Sequence, residues 1–130
     1  MPVASVGDAE TATLELTQEH IDQFAALTGD ENPLHVNEAY AEEGLFGGRV
    51  AHGALTASVV SAALAALPGD IVYLSQNLEF ENPVRPGETV SATAAVTEDL
   101  GEDRLTVEIS AETDRQVLSG ETTIISLPHE

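Results

Sequence analysis

Two side chains able to move a proton, Asp30 and His35, stand five residues apart in Thr28-Gly29-Asp30-Glu31-Asn32-Pro33-Leu34-His35. Pro33 stiffens the turn between them, and Gly29 lets the chain leave the preceding segment tightly. A carboxylate and an imidazole on one stiff turn can hold a single water between them, which is equipment for general acid–base work. Histidine is the side chain that most easily titrates near neutral pH. By residue type alone, the segment serves equally as a structural turn, with Asp30 as a cap and His35 as a half-buried polar residue. A second feature is Ala51-His52-Gly53, at the head of a long apolar stretch. A helix starting there offers free backbone N–H groups and the positive end of its dipole, and Gly53 admits a ligand close to the backbone. Such a place can polarise a carbonyl oxygen as an oxyanion hole does. Read alone, it is equally a plain helix start with His52 as a nearby polar residue.

The elements that must position these groups follow from periodicity. Ala12-Thr13-Leu14-Glu15-Leu16 alternates and predicts a short strand. Thr17 caps a helix running to about Leu27, with Ile21, Phe24, Ala25 and Thr28 on one face and Gly29 as its stop. Asn32-Pro33 makes residues 30–35 a turn rather than a helix. One or two helical turns are expected over Glu38 to Glu43, then a loose loop with Gly44, Gly47 and Gly48. The 20 residues from Val50 to Gly69 carry no Asp, Glu, Lys or Arg, a sign of burial in so acidic a chain. Within them Ala54 to Leu67 predicts a 14-residue helix, interrupted in polarity only by Thr56, Ser58 and Ser61 and ended by Pro68-Gly69. It is too short and alanine-rich to span a membrane, and being apolar all round it should be sheathed by the rest of the protein.

The second half reads as strands. Ile71 to Glu81 places Val72, Leu74, Leu78 and Phe80 on one face, and Asn82 to Gly87 turns the chain. Thr89 to Glu98 places Val90, Ala92, Ala94 and Val96 together, and Asp99 to Glu102 turns it again. Leu105, Val107, Ile109 and Ala111 alternate next, and Gln116 to Leu127 completes the set. Consecutive strands with tight turns imply an antiparallel sheet, and one apolar helix suggests that the sheet curls around it in an α+β fold.

Composition bounds the partners. The 130 residues include 23 Asp or Glu and 4 Lys or Arg, a formal charge of −19. All four basic residues are arginines, and lysine, cysteine and tryptophan are absent. A nucleic acid or an anionic membrane surface is therefore excluded as a partner, since nothing would neutralise a run of phosphates. Without cysteine there is no disulfide, thiol nucleophile or thiolate metal site. The first residues lack a basic region and an apolar stretch, so a cytoplasmic protein of one domain over residues 1–130 is the expectation. The acids are spread along the chain as a coat that salt would screen, and this lysine-free composition resembles proteins of salt-loving archaea. No His, Asp or Glu grouping has metal-ligand spacing and no glycine-rich phosphate loop follows a strand, so no metal or cofactor is expected.

Phe24 to His35, followed by Ala41, resembles the hydratase-2 motif of the MaoC-like (R)-specific enoyl-CoA hydratases. The resemblance extends through Ala51-His52-Gly53 and the apolar helix. It continues through Tyr73 to Phe80, Pro83-Val84 and Pro86-Gly87-Glu88, and covers roughly residues 12–127. It implies the hot-dog fold, in which an antiparallel sheet wraps a long central helix. It also implies a homodimer joined through sheet edges, for which Thr122-Thr123-Ile124-Ile125 is the expected pairing surface. The implied reaction is reversible syn addition of water to a trans-2-enoyl-CoA, giving the (R)-3-hydroxyacyl-CoA, with CoA entering only as part of the substrate. Carried over by position, Asp30 activates the water and His35 shares its proton. The Gly53 N–H receives charge from the thioester oxygen, Asn32 holds the turn through its side chain, and Ser61 supports Asp30 from the helix. Arg49 and Arg85 are the loop cations for the CoA phosphates, equally readable as members of surface ion pairs. Arg104 and Arg115 fall on solvated strand faces, and His20 and His129 are incidental. A thioesterase and a non-catalytic acyl-CoA-binding or assembly subunit are the alternatives on the same fold.

Overall fold

The computed structural model describes residues 2–128, so His129 lies outside the described residues. The strands are β1 (Ala9–Leu16), β2 (Asp70–Phe80), β3 (Glu88–Gly101), β4 (Arg104–Glu112) and β5 (Gln116–Leu127). They form one antiparallel sheet in the order β1-β3-β4-β5-β2. The helices are α1 (Gln18–Thr28), α2 (Pro33–Val36), α3 (Glu38–Glu42) and α4 (Gly53–Ala65), and α4 packs against the sheet. The core joins Leu55, Val59, Val60 and Leu64 of α4 to the inward faces of β3 and β4. This is the expected α+β, hot-dog arrangement.

Local chemistry explains the clean parts. Val90, Ala92, Ala94 and Val96 of β3 and Leu105, Val107, Ile109 and Ala111 of β4 are all buried, as strict alternation requires. Thr17 caps α1 by accepting from the His20 N–H, and Gly29 ends the helix in the left-handed region at φ 83°. His20 is not incidental: its Nδ1 accepts from the Thr17 N–H at 3.2 Å and closes the capping box.

Several expectations need correction. Residues 33–36 are helical, because Pro33 occupies the first helical position, where its missing N–H has no partner to lose. β3 extends to Gly101, and Glu102 and Asp103 form the hairpin turn with φ of 56° and 64°. Strand β2 does not keep Val72, Leu74, Leu78 and Phe80 on one face. A bulge between Tyr73 and Ser75 reverses the alternation, so Val72 pairs opposite Ile125 but Leu78 opposite Gly120. Helix α4 is not sheathed all round: Ala54, Ser58, Ser61, Ala62 and Ala65 form an exposed stripe. These side chains are small, so the stripe leaves little apolar area in water. Strand β5 lies between β4 and β2 with both edges paired, so Thr122 to Ile125 cannot be a free pairing edge; β1 and β2 are the sheet's edges. Among the described residues no helix is long and apolar enough to cross a membrane.

Candidate acid–base site

Asp30 and His35 reach the site from the connection between α1 and α2. Thr28 relays the end of α1 into it: its hydroxyl donates to the Phe24 carbonyl at 2.8 Å and accepts from the Asp30 N–H at 3.2 Å. The His35 N–H closes the turn on the Asn32 carbonyl at 2.9 Å. Asn32 therefore holds the turn through its backbone, and its side chain makes no capping hydrogen bond to α2. From α1, the Gln18 amide donates to the His35 carbonyl at 3.0 Å and to the Asp22 carboxylate at 2.9 Å.

The fold brings a third side chain to this pair. Asp30, His35 and His52 each offer one polar atom within 4.8 Å of the other two. The His35 and His52 rings stack with centroids 3.9 Å apart and planes 29° apart. His35 Nδ1 lies 2.7 Å from the Val50 carbonyl oxygen. A carbonyl only accepts, so Nδ1 carries the hydrogen and Nε2 of the neutral ring keeps its lone pair. His52 Nε2 lies 2.9 Å from the Asp30 carbonyl oxygen and donates to it by the same reasoning. Spacing did not reveal His52. The available signal was that it is the lone titratable side chain between Val50 and Gly69. The three groups have donor types a metal accepts, and each ring already commits one nitrogen as a donor, His35 to the Val50 carbonyl and His52 to the Asp30 carbonyl.

Gly53 is the first residue of α4, and no side chain caps that end. Its free N–H group is thus available to an electron-rich oxygen. A Cβ at Gly53 would stand 3.1 Å from Phe80 Cε1, so glycine lets the Phe80 ring lie against the helix start. A cavity of about 280 Å³, lined among others by Leu34, His35, Phe46, Gly53, Phe80 and Val84, opens beside the site. Its walls are mostly apolar, with His35 as a polar group on one side.

The remaining expected residues are placed as follows. Ser61 lies on the exposed stripe of α4 and has no hydrogen bond to Asp30. Arg49 pairs with Glu38 at 2.7 Å. Arg85 donates through its guanidinium to the Phe46 carbonyl, clamping the glycine-containing loop, while Glu88 accepts from its backbone N–H at 2.6 Å. Arg104 in β4 is exposed as expected, and Arg115 is exposed too but lies in the turn between β4 and β5 rather than on a strand.

The family model of the MaoC-like domain matches residues 5–118. The (R)-specific enoyl-CoA hydratase of Rhodospirillum rubrum is 44% identical over 93 residues, 70% of this chain and 65% of that protein. The chain thus spans just under two thirds of that relative's length. The (R)-specific enoyl-CoA hydratase of Aeromonas caviae is 40% identical over 111 residues, 81% of each chain. The solved structure of the Aeromonas caviae (R)-hydratase involved in PHA biosynthesis superposes with a TM-score of 0.87 at 30% identity, covering 95% of this chain and 97% of that one.

Proposed function

The chain belongs to the MaoC-like domain family, and from that premise we propose that it is an (R)-specific enoyl-CoA hydratase. The observation that carries the reading is the meeting of Asp30 with His35, which shares one apolar cavity with the open N-terminus of α4 at Gly53. A water held between the Asp30 carboxylate and His35 Nε2 donates a hydrogen to each, which leaves its lone pairs free to attack. As its oxygen bonds to C3 of the trans-2-enoyl thioester, Asp30 takes one water proton, with His35 sharing the charge. A proton returns from the pair to C2 on the same face, giving syn addition and the (R)-3-hydroxyacyl product. Negative charge gathers on the thioester oxygen during attack, and the Gly53 N–H is the donor for it. The apolar cavity walls take the acyl chain. The same chemistry in reverse dehydrates the product.

Arg49 and Arg85 are the cations assigned to the CoA phosphates. They directly precede Val50 and follow Val84, which line the cavity, and Arg85 keeps further N–H donors beyond the one used on Phe46. Strand β2 is the pairing edge of a homodimer, since Val72, Tyr73 and Leu74 are exposed on it. The product is the class of thioester from which polyhydroxyalkanoates are built, a process in which the Aeromonas caviae hydratase takes part. The acid coat suits a cytoplasm rich in salt.

The test is hydration of crotonyl-CoA in concentrated KCl, followed by loss of the enoyl absorbance, with product handedness read by an enantiomer-specific dehydrogenase. Formation of (R)-3-hydroxybutyryl-CoA is the expected result. Release of free CoA without hydration would make the protein a thioesterase, and binding without turnover a non-catalytic acyl-CoA subunit.

A further inference from the structure

We infer that His52 is the positioning residue of this site, locking the Asp30 backbone and the His35 ring into one geometry; the inference rests on the hydratase reading for its kinetic consequences. His52 is 2% exposed. Its ring touches three separate segments. It meets Phe24 of α1 at 4.8 Å and 55°, stacks on His35 of α2 at 3.9 Å, and donates to the Asp30 carbonyl from 22 residues away in sequence.

The tautomer is dictated by these contacts. Nε2 must carry the hydrogen, because the Asp30 carbonyl can only accept. Nδ1 is buried and has no hydrogen-bond partner among the described residues. A lone pair left there is less costly than an orphaned N–H, so the burial of Nδ1 agrees with the same assignment.

Asp30 needs such an anchor. Its residue is exposed, and among the described residues its own N–H is held only by the neighbouring Thr28 hydroxyl at 3.2 Å. The bond from His52 ties the Asp30 main chain to the start of α4, the element that also presents Gly53. One ring thus sets the distance between the carboxylate that activates water and the N–H that receives charge. The stacked face of the same ring fixes the plane of His35, whose Nδ1 is already pinned to Val50. A lost anchor leaves all three groups present but misaligned, a fault that slows the chemical step more than it weakens substrate binding.

Two variants divide the two contacts. His52→Phe keeps a ring for stacking but removes the donor, whereas His52→Gln keeps a donor near the Nε2 position and removes the stack. With crotonyl-CoA, His52→Phe is expected to lower kcat by about thirtyfold or more. KM should stay within about twofold of wild type, because the lost interaction is orientational. His52→Gln should recover most of that loss. Nitrogen-15 NMR of the wild-type histidine rings should show His52 protonated at Nε2 and His35 at Nδ1. A kcat for His52→Phe near wild type, a change confined to KM, or an Nδ1-protonated His52 would each overturn the inference. Should His52→Phe fail to fold, His52→Gln decides: a loss there as deep as that of an Asp30 variant overturns the role of the donor. A wild-type protein that hydrates no enoyl-CoA overturns the hydratase reading, and the ring tautomers then decide the His52 lock independently.

Discussion

The two segments that meet in the site are built on opposite terms. Residues 28–36 are mostly exposed and held by short-range bonds through Thr28 and Asn32, with one bond from Gln18 of α1. Residues 50–53 lead into the core: Val50, Ala51 and His52 are buried, and only Gly53 opens to solvent. The first segment carries Asp30 and His35, the groups proposed to exchange protons with water, and Asp30 is exposed to it. The second carries carbonyls, a buried ring and a helix end, which work only if they do not move. Reactivity and rigidity are thus divided between two stretches of chain, and the hydrogen bonds from His35 to Val50 and from His52 to Asp30 join them.

The division can be broken most severely from the reactive side. Asp30→Asn and His35→Ala are each expected to lower kcat for crotonyl-CoA hydration by at least about a hundredfold, the lower range of general acid–base contributions. Steady-state kinetics checks this, and near-normal turnover in both variants would remove the dyad. On the rigid side, Gly53→Ala keeps the N–H but sets a methyl group against Phe80 and the cavity. The Phe80 ring is half-exposed and can yield, so the fold should persist while kcat/KM falls about tenfold, less than the loss of a donor outright.

Salt sharpens the contrast on the stability side. Exposed acids crowd the reactive segment and its continuation, with Asp30, Glu31, Glu38, Glu42 and Glu43, whereas residues 50–69 contain none. Lowering KCl from molar to about 0.1 M lengthens the screening distance from about 3 Å to about 10 Å and restores their repulsion. Thermal melts should show Tm falling, with amide exchange rising first in residues 30–43. A Tm that does not fall as KCl is removed would count against adaptation to salt. The smallest effect belongs to the helix that leads into the reactive segment. Thr17→Ala removes the cap of α1 and should cost about 1 kcal/mol, a drop in Tm of about 3–6 °C in a melt at constant salt.

Much of this molecule was legible in the amino-acid sequence, because its strongest signals are local. The alternation in β3 and β4, the Thr17 cap, the Gly29 stop and the charge-free stretch from Val50 to Gly69 each depend on a few neighbouring residues and the period of one element. The pairing of Asp30 with His35 is of the same kind, since one stiff turn carries both.

What only the tertiary structure decided depends on contacts between residues distant in sequence. The bulge in β2 turns on its register with β5, and the edge position of β2 turns on strand order, neither of which periodicity encodes. Ser61 was expected to face Asp30, yet helix rotation against the sheet puts it on the exposed stripe. Arg49 and Arg85 kept their loops, and Glu38 and the Phe46 carbonyl hold them there, each using only part of a guanidinium. His52 read as an ordinary polar residue, and packing made it a buried plate between Phe24 and His35. The sequence determined which groups could do chemistry; the folded chain decided which of them are held still, because a hydrogen bond spanning 22 residues exists only once the core has closed.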